Sequence, residues 1–270
     1  MNAEIVIWET FPRWVLMWLL AGGVFLAGKL AARASVEGPA TWGREAAWLT
    51  LWPGMDARAF FQRRAAQGVA QPAALYIANL LLGGILMWGV ARCLPHPLAA
   101  GWAGMMGLVL VLHFGAFGLL AVLWRRAGVP VSPIMDRPAA AVSVAEFWGR
   151  RWNRAFRDLA HPFVFRPVLR RLGPAAASWT TFLVSGLVHE LVITVPAGAG
   201  YGLPTLYFLI QAAGAGMERQ LFQRRNGMEC RGLHRLFTVL VTAGPACVLF
   251  PPAFVERVMI PFLQYIHALP

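Results

Sequence analysis

AAASWTTFLVSGLVHELVITV, Ala175 to Val195, carries only two ionisable side chains, His189 and Glu190, in twenty-one positions. As a helix rising about 1.5 Å per residue it reaches about 30 Å, the thickness of the hydrocarbon core of a bilayer. Read as a membrane span, it places His189 about 20 Å from its first residue, deep in apolar surroundings. An ionisable pair at that depth is costly unless it faces a polar cavity or a partner. Ser185 and Gly186 stand one turn before His189, so the helix is narrow there, which suits either close helix packing or the entry of a substrate.

The rest of the chain belongs with this segment. Of 270 residues 58% are hydrophobic and only 13% charged, and the mean hydropathy is +0.57. Those values exclude an ordinary soluble globule and predict an all-α, polytopic membrane protein of about six or seven transmembrane helices plus interfacial helices. Six segments are long and apolar enough to cross, approximately 14–32, 73–93, 99–124, 175–195, 202–217 and 233–250, the fifth being short. A seventh, 252–269, is interrupted by Pro252 and Pro261 and reads as a span or a re-entrant segment. No internal repeat divides the chain, so residues 1–270 are read as one membrane-embedded domain with a loop over 125–172. The N-terminal stretch MNAEIVIWETFPRW has two acids and a single arginine, a poor start for a signal peptide, and is read as leading into a retained span.

The formal charge of +12 is concentrated. With the N-terminus outside, segments 29–72, 125–171 and 218–235 all lie inside, and together they hold 21 of the 24 basic residues; Arg13, Arg92 and Arg257 are left over. This is the positive-inside pattern of a membrane protein, and because the bases lie between spans no nucleic-acid partner is expected. All the basic residues but Lys29 are arginine, which suggests a GC-rich bacterial source and an inner (plasma) membrane location. Segment 40–67 mixes Trp42, Trp48, Trp52, Phe60 and Phe61 with charges and is expected to lie at the membrane boundary, broken at WPGMD, Trp52 to Asp56. Cys93, Cys230 and Cys247 are far apart and show no metal-ligand spacing, so neither a disulfide framework nor a metal site is expected.

One loop segment breaks the apolar pattern. EFWGRRWNRAFRD, Glu146 to Asp158, has six charges in thirteen positions. Ser143 and Glu146 form an S-x-x-E capping box, so a helix is expected to begin near residue 144. At about 100° per residue a single helix sets Arg150, Arg154 and Arg157 on one face and Trp148, Trp152 and Phe156 on another, with Asn153 on the seam. The tryptophans then point to acyl chains and the arginines to water or phosphates. Juxtamembrane arginines are equally what a solvated anchor helix carries, whereas Asn153 adds no charge and is a poor helix former. Its amide can orient a carbonyl or a hydroxyl.

Histidine, which can take up a proton near neutral pH, is the candidate general base at position 189; Glu190 would pair with a cation or hold the ring. His113 also lies in a span but has no adjacent carboxylate and reads as a packing residue. His96 and His161 precede prolines in loops, and His234 and His267 stand near span ends; none is expected to be catalytic.

PGMD (Pro53 to Asp56), EFWGRRWN (Glu146 to Asn153) and SGLVHEL (Ser185 to Leu191), taken in that order, resemble the membrane-bound O-acyltransferases, within them the wax-synthase-like branch. The resemblance covers about residues 50–195. It implies transfer of a long acyl group from acyl-CoA to a fatty alcohol or related lipid hydroxyl, with His189 in the position of the catalytic histidine and Asn153 in that of the motif asparagine. The residues' own chemistry makes Arg150, Arg154 and Arg157 (toward a polyanionic carrier), Trp148 and Trp152 (toward acyl chains), and Glu190 and Ser185 (beside His189) the candidate substrate-binding residues, with acyl-CoA as co-substrate, a lipid alcohol as acceptor, membrane lipids around the chain and no cofactor or metal expected. Family members usually have more spans than this chain. A sterol, glyceride or glycan acceptor, and a non-catalytic lipid-binding relative, stay open at this point.

Overall fold

The computed structural model describes residues 11–62, 72–222 and 231–270. Residues 1–10, 63–71 and 223–230, with the N-terminal acids, Arg63, Arg64, Arg224, Arg225 and Cys230, lie outside the described residues. What is described is helical, with no strand. The helices are α1 (Arg13–Ala34), α2 (Trp42–Thr50), α3 (Ala57–Gln62), α4 (Ala73–Cys93), α5 (Pro97–Arg126), α6 (144–151), α7 (154–172), α8 (174–197), α9 (Leu203–Phe222), α10 (Arg231–Thr242), α11 (Ala246–Leu249) and α12 (252–265).

Among the described residues five helical runs are long and apolar enough to cross a membrane: α1, α4, α5, Arg154–Ala197 and Arg231–Leu249. The fourth run is two helices, because Gly173 adopts φ 84° and ψ 177°. Glycine reaches that conformation without a Cβ penalty, and the following Pro174 disfavours a helical residue before it. Helix α8 is therefore the spanning part and carries the opening stretch. The expected span 202–217 is present as α9, of spanning length, but Gln211, Glu218 and Arg219 make it too polar to stand with the other five. The expected 252–269 segment is the short helix α12, whose Val255, Val258 and Leu263 are fully buried. It sits against Gly101 and Gly104 of α5, where a Cβ would run into Val255 or Leu263.

Several helices contain a widened π-helical turn, at Ile85–Val90, Leu110–Ala116, Phe147–Arg151, His161–Phe165, Glu190–Thr194 and Val255–Met259. Prolines stand within or just after three of them, Pro162, Pro196 and Pro261, where the missing N–H has already broken the regular ladder. At the Leu110–Ala116 turn, Asn79 Nδ2 on α4 donates to the Phe114 carbonyl at 3.2 Å. His113, in that same turn, packs edge-on against Phe117.

The two ends of the bundle differ. At one end, Arg13 donates to the carbonyls of Pro196 (3.1 Å) and Ala197 (2.7 Å), and Arg257 reaches the Ala197 carbonyl at 3.3 Å. Two of the three arginines outside the positive-inside pattern thus satisfy carbonyls left open where α8 ends. At the other end gather α2, α3, α6 and α7, with most of the described arginines.

That basic end corrects one expectation. Trp48, Trp52 and Phe60 do not face lipid; they are buried against Trp124, Val129 and Val131, and only Trp42 of the segment's three tryptophans is open, at 85% exposure. Aromatic residues mixed with charges serve a small core as readily as an interface. The chain does break at WPGMD, between α2 and α3, and Asp56 accepts the Ala59 N–H at 3.0 Å to start α3. Lys29, fully buried at the end of α1, donates to the Gly54 carbonyl at 2.7 Å and lies 3.3 Å from the centre of the Trp48 ring. The chain's single lysine thereby pins the PGMD loop to the first span, the ring and the carbonyl together replacing lost hydration.

Candidate functional site

The charged motif begins as expected. Ser143 Oγ accepts the Glu146 N–H at 2.9 Å, and the Glu146 carboxylate reaches back to the Val142 N–H at 2.9 Å and pairs with Arg151 at 2.7 Å. Burial by itself would raise the Glu146 carboxyl, but the Val142 amide and Arg151 outweigh it and hold the group below the usual carboxylate range. From α9, Glu218 accepts the Val144 N–H at 2.9 Å, a second cap on the same helix start. Burial raises the Glu218 carboxyl.

The single amphipathic helix expected over this motif is not what forms. Helix α6 stops at Arg151, Trp152 is extended, and Asn153 has φ 41° and ψ 59°, the left-handed conformation that asparagine tolerates better than most residues. Its Oδ1 accepts the Phe156 N–H at 3.3 Å, so Asn153 is the N-cap of α7. The break is held from outside: the Asp136 N–H donates to the Arg151 carbonyl and the Arg154 N–H to the Ile134 carbonyl.

With the helix interrupted, the three arginines part company. Arg150 is exposed, while Arg154 is only 6% exposed and faces Asp136 at 3.8 Å within a buried ionic cluster. Arg157 pairs with Asp158 at 2.6 Å and is the one of the three that borders the large cavity. The tryptophans turn inward. Trp152 stacks on Phe147 at 5.4 Å, and Trp148 packs on Phe208 at 5.4 Å and Phe182 at 6.1 Å.

That cavity has a volume of about 320 Å³ and lies between α6, α7, α8 and α9. The size is that of a small-molecule site. Arg157 and Arg219 give it a basic rim, beside which burial and the neighbouring arginines keep the His161 imidazole neutral; Trp148, Phe156, Phe165, Phe182 and Phe208 give it aromatic walls. Ser178, Thr181 and Ser185 add a stripe of hydroxyls on one face of α8. Continued by one turn, the stripe arrives at His189.

His189 lies one layer behind the cavity. It is half-buried between buried Ser185 and Ile193, on the side of α8 opposite the exposed Leu183, Leu187 and Leu191, so it looks into the protein and not into lipid. Its ring meets Phe208 at 4.6 Å, and its Nδ1 is 2.7 Å from the Ser185 carbonyl. A carbonyl only accepts, so Nδ1 carries the proton and the Nε2 lone pair is left as the acceptor. Both wall residues that touch the ring, Ser185 and Phe208, line the cavity; His189 and Asn153 themselves do not, and the structure does not bring those two together in it.

Among the described residues Glu190 has no cationic partner. Its Oε1 accepts from the Thr205 N–H (3.0 Å) and hydroxyl (2.9 Å), and its Oε2 from the Thr194 hydroxyl (2.6 Å). A carboxylate at the start of α9 meets the unpaired amides and the positive end of that helix. One turn further along α9 lies Phe208, so the residue beside His189 fixes the helix that covers it.

Residues 131–210 match the membrane bound O-acyl transferase family, a stretch that includes the WN motif, the cavity stripe and the HE pair. Over this stretch the chain is similar to that family. Its long apolar helices mark it as an integral membrane protein. It is 33% identical over 148 residues to the Arabidopsis thaliana protein named "Probable long-chain-alcohol O-fatty-acyltransferase 8", covering 51% of this chain and 44% of that protein. To the Simmondsia chinensis "Long-chain-alcohol O-fatty-acyltransferase" it is 36% identical over 133 residues, 43% of this chain and 36% of that one. To the Arabidopsis "Acyl-CoA--sterol O-acyltransferase 1" it is 39% identical over 79 residues, 27% of this chain and 23% of that one. The chain thus spans less than half the length of the curated relatives it matches.

Sequence reasoning about this site missed Arg219, His161, Gln211 and Glu218. The hydroxyl stripe had a signal, since 178, 181, 185 and 189 follow helical spacing on one face. Arg219 had none, because only the packing of α9 brings it to the rim.

Proposed function

We propose that this chain transfers a long acyl group from acyl-CoA to the hydroxyl of a fatty alcohol or related lipid, with His189 as general base. The observation that carries the reading is the cavity: basic at its rim, aromatic within, and walled by the two residues that touch His189. A thioester carrier is polyanionic at one end and apolar at the other, which suits a rim of Arg157 and Arg219 above aromatic walls. The basic end is then the cytoplasmic one. Near absence of lysine supports a bacterial plasma membrane as the location, although the relatives named above are from plants.

The chemistry needs one proton movement. The alcohol oxygen attacks the thioester carbonyl carbon while Nε2 of His189 takes the hydroxyl proton. The carbon–sulfur bond then breaks, the leaving sulfur regains that proton from the imidazolium, and the products are an ester and free CoA. Nδ1, bonded to the Ser185 carbonyl, keeps the tautomer that this requires and steadies the imidazolium. Asn153 supports the step by setting the start of α7, which carries Arg157 and His161.

A sterol acceptor is the second reading, favoured by the resemblance to a sterol O-acyltransferase. Membranes containing the chain, given a labelled long-chain acyl-CoA with either hexadecanol or a sterol, separate the two. Labelled wax ester is expected; a steryl ester in its place would move the acceptor assignment, and no ester from either would refute the acyltransferase reading.

A further inference from the structure

We infer that Trp148, Phe182 and Phe208 form an aromatic gate between the cavity and His189, and that Gln211 is the positioning residue that holds it shut. The inference rests on His189 as the reacting group, which makes its separation from the cavity a functional matter. The cavity ends at Ser185 and Phe208, and the imidazole stands behind them. Trp148 comes from α6, Phe182 from α8 and Phe208 from α9; the indole lies 6.1 Å from the first phenyl ring and 5.4 Å from the second. Phe208, nearly fully buried, then covers the imidazole at 4.6 Å. A thioester carbonyl entering from the rim meets these rings before it meets Nε2.

Trp148 is the movable member. It is half-buried on a helix that ends three residues later at the Trp152–Asn153 break, and it lies in the widened turn Phe147–Arg151. One polar contact fixes its plane: the indole Nε1–H donates to Gln211 Oε1 at 3.2 Å. Gln211 is fully buried, and its own orientation is set from the far side, where Nε2 donates to the Val241 carbonyl at 2.8 Å. That carbonyl lies in the last turn of α10, where helix carbonyls lack intrahelical partners. Tyr207 ties the same helix end by donating to the Thr242 carbonyl at 2.7 Å. Burial of this amide is offset only while both its bonds are made, so the Val241 carbonyl on one side and the indole on the other are held in fixed relation through it. Closed, the gate keeps water from the thioester until the acceptor is present; turned about its side-chain bonds, Trp148 opens the wall beside His189.

Cysteine labelling in membranes, using the whole chain with Cys93, Cys230 and Cys247 replaced by serine, tests this without relying on turnover. The probe is a negatively charged, membrane-impermeant methanethiosulfonate applied from the basic side. With Ser178→Cys it should react fast, since that position lines the cavity. With His189→Cys it should react about tenfold slower or more, as for a site reached only through a minor open state. Adding Gln211→Leu or Phe208→Ala should speed labelling at 189 about tenfold and leave the rate at 178 unchanged. Equal rates at 178 and 189 with the native gate would overturn the proposal. A rate at 189 raised by Phe208→Ala but not by Gln211→Leu would overturn the part given to Gln211. Loss of the fast rate at 178 marks a misfolded variant, and the other substitution then decides. Since no catalysis is read out, failure of the gate and failure of the acyltransferase reading remain distinct results.

Discussion

Asn153 is the residue whose role the structure changes most, and a series of substitutions there separates a chemical from an architectural function. The residue sits at φ 41° and accepts the Phe156 N–H through its side chain. Replacement by alanine loses the cap, worth about 1 kcal/mol, and forces a Cβ residue without a local hydrogen bond into the left-handed region, for about 1 kcal/mol more. The sum, about 2 kcal/mol, shifts a folding equilibrium by roughly thirtyfold. Glycine loses the side-chain bond but accepts the backbone conformation freely, so it should cost only a few tenths of a kcal/mol, about the price of the cap alone against glycine. Aspartate keeps both features. The expected order of stability in detergent, and of ester formation per folded molecule, is Asn about equal to Asp, then Gly, then Ala. Thermal unfolding and ester formation from labelled acyl-CoA measure the two. If Gly and Asp lose activity as completely as Ala while remaining folded, the amide itself contacts substrate and the capping argument is wrong.

Three further outcomes follow from the geometry. Arg157→Ala and Arg219→Ala should each raise KM for acyl-CoA by about fivefold, as for an exposed charge pair of about 1 kcal/mol, with KM for the alcohol unchanged; Arg150→Ala and its exposed side chain should change neither. Glu190→Ala should destabilise the fold by about 2 kcal/mol by leaving Thr205 and Thr194 donors without their acceptor, and Glu190→Gln by less, measured by thermal unfolding. The Glu146 carboxyl is held below its ordinary range, so its stabilising effect is complete above that range and fades as pH falls through the depressed value. Unfolding curves taken between about pH 6 and pH 3 should therefore show part of the acid destabilisation missing in Glu146→Gln.

How far the sequence can be read is clearest in particular residues. The length and apolarity of Ala175 to Val195 are local properties, and helix α8 carries them with His189 turned inward. The Ser143–Glu146 capping box is also local, and its first bond forms as drawn. The continuation of that helix through Trp152 and Asn153 was not legible, because the spacing of arginines and tryptophans fits one helix or two equally well. What decides is the clamp from residues 134 and 136, a tertiary contact. Likewise Arg154 looks like its neighbours in sequence, and only the approach of Asp136 makes it a buried group. Trp48 and Phe60 share a segment with charges in the manner of an interfacial helix, yet the buried Lys29 and the end of α5 draw them into a core. The rim of the cavity draws on α7 and α9 together, and no pattern within either helix announces Arg219.

The central claim is that the imidazole of His189 takes the proton from an alcohol. The direct measurement is ester formation by the purified chain from a long-chain acyl-CoA and hexadecanol, with His189→Ala compared against the native protein at matched folding. Removal of a general base predicts a fall of about a hundredfold or more in kcat with the thermal unfolding profile preserved. Native protein that forms ester while His189→Ala forms it at the same rate would contradict the account.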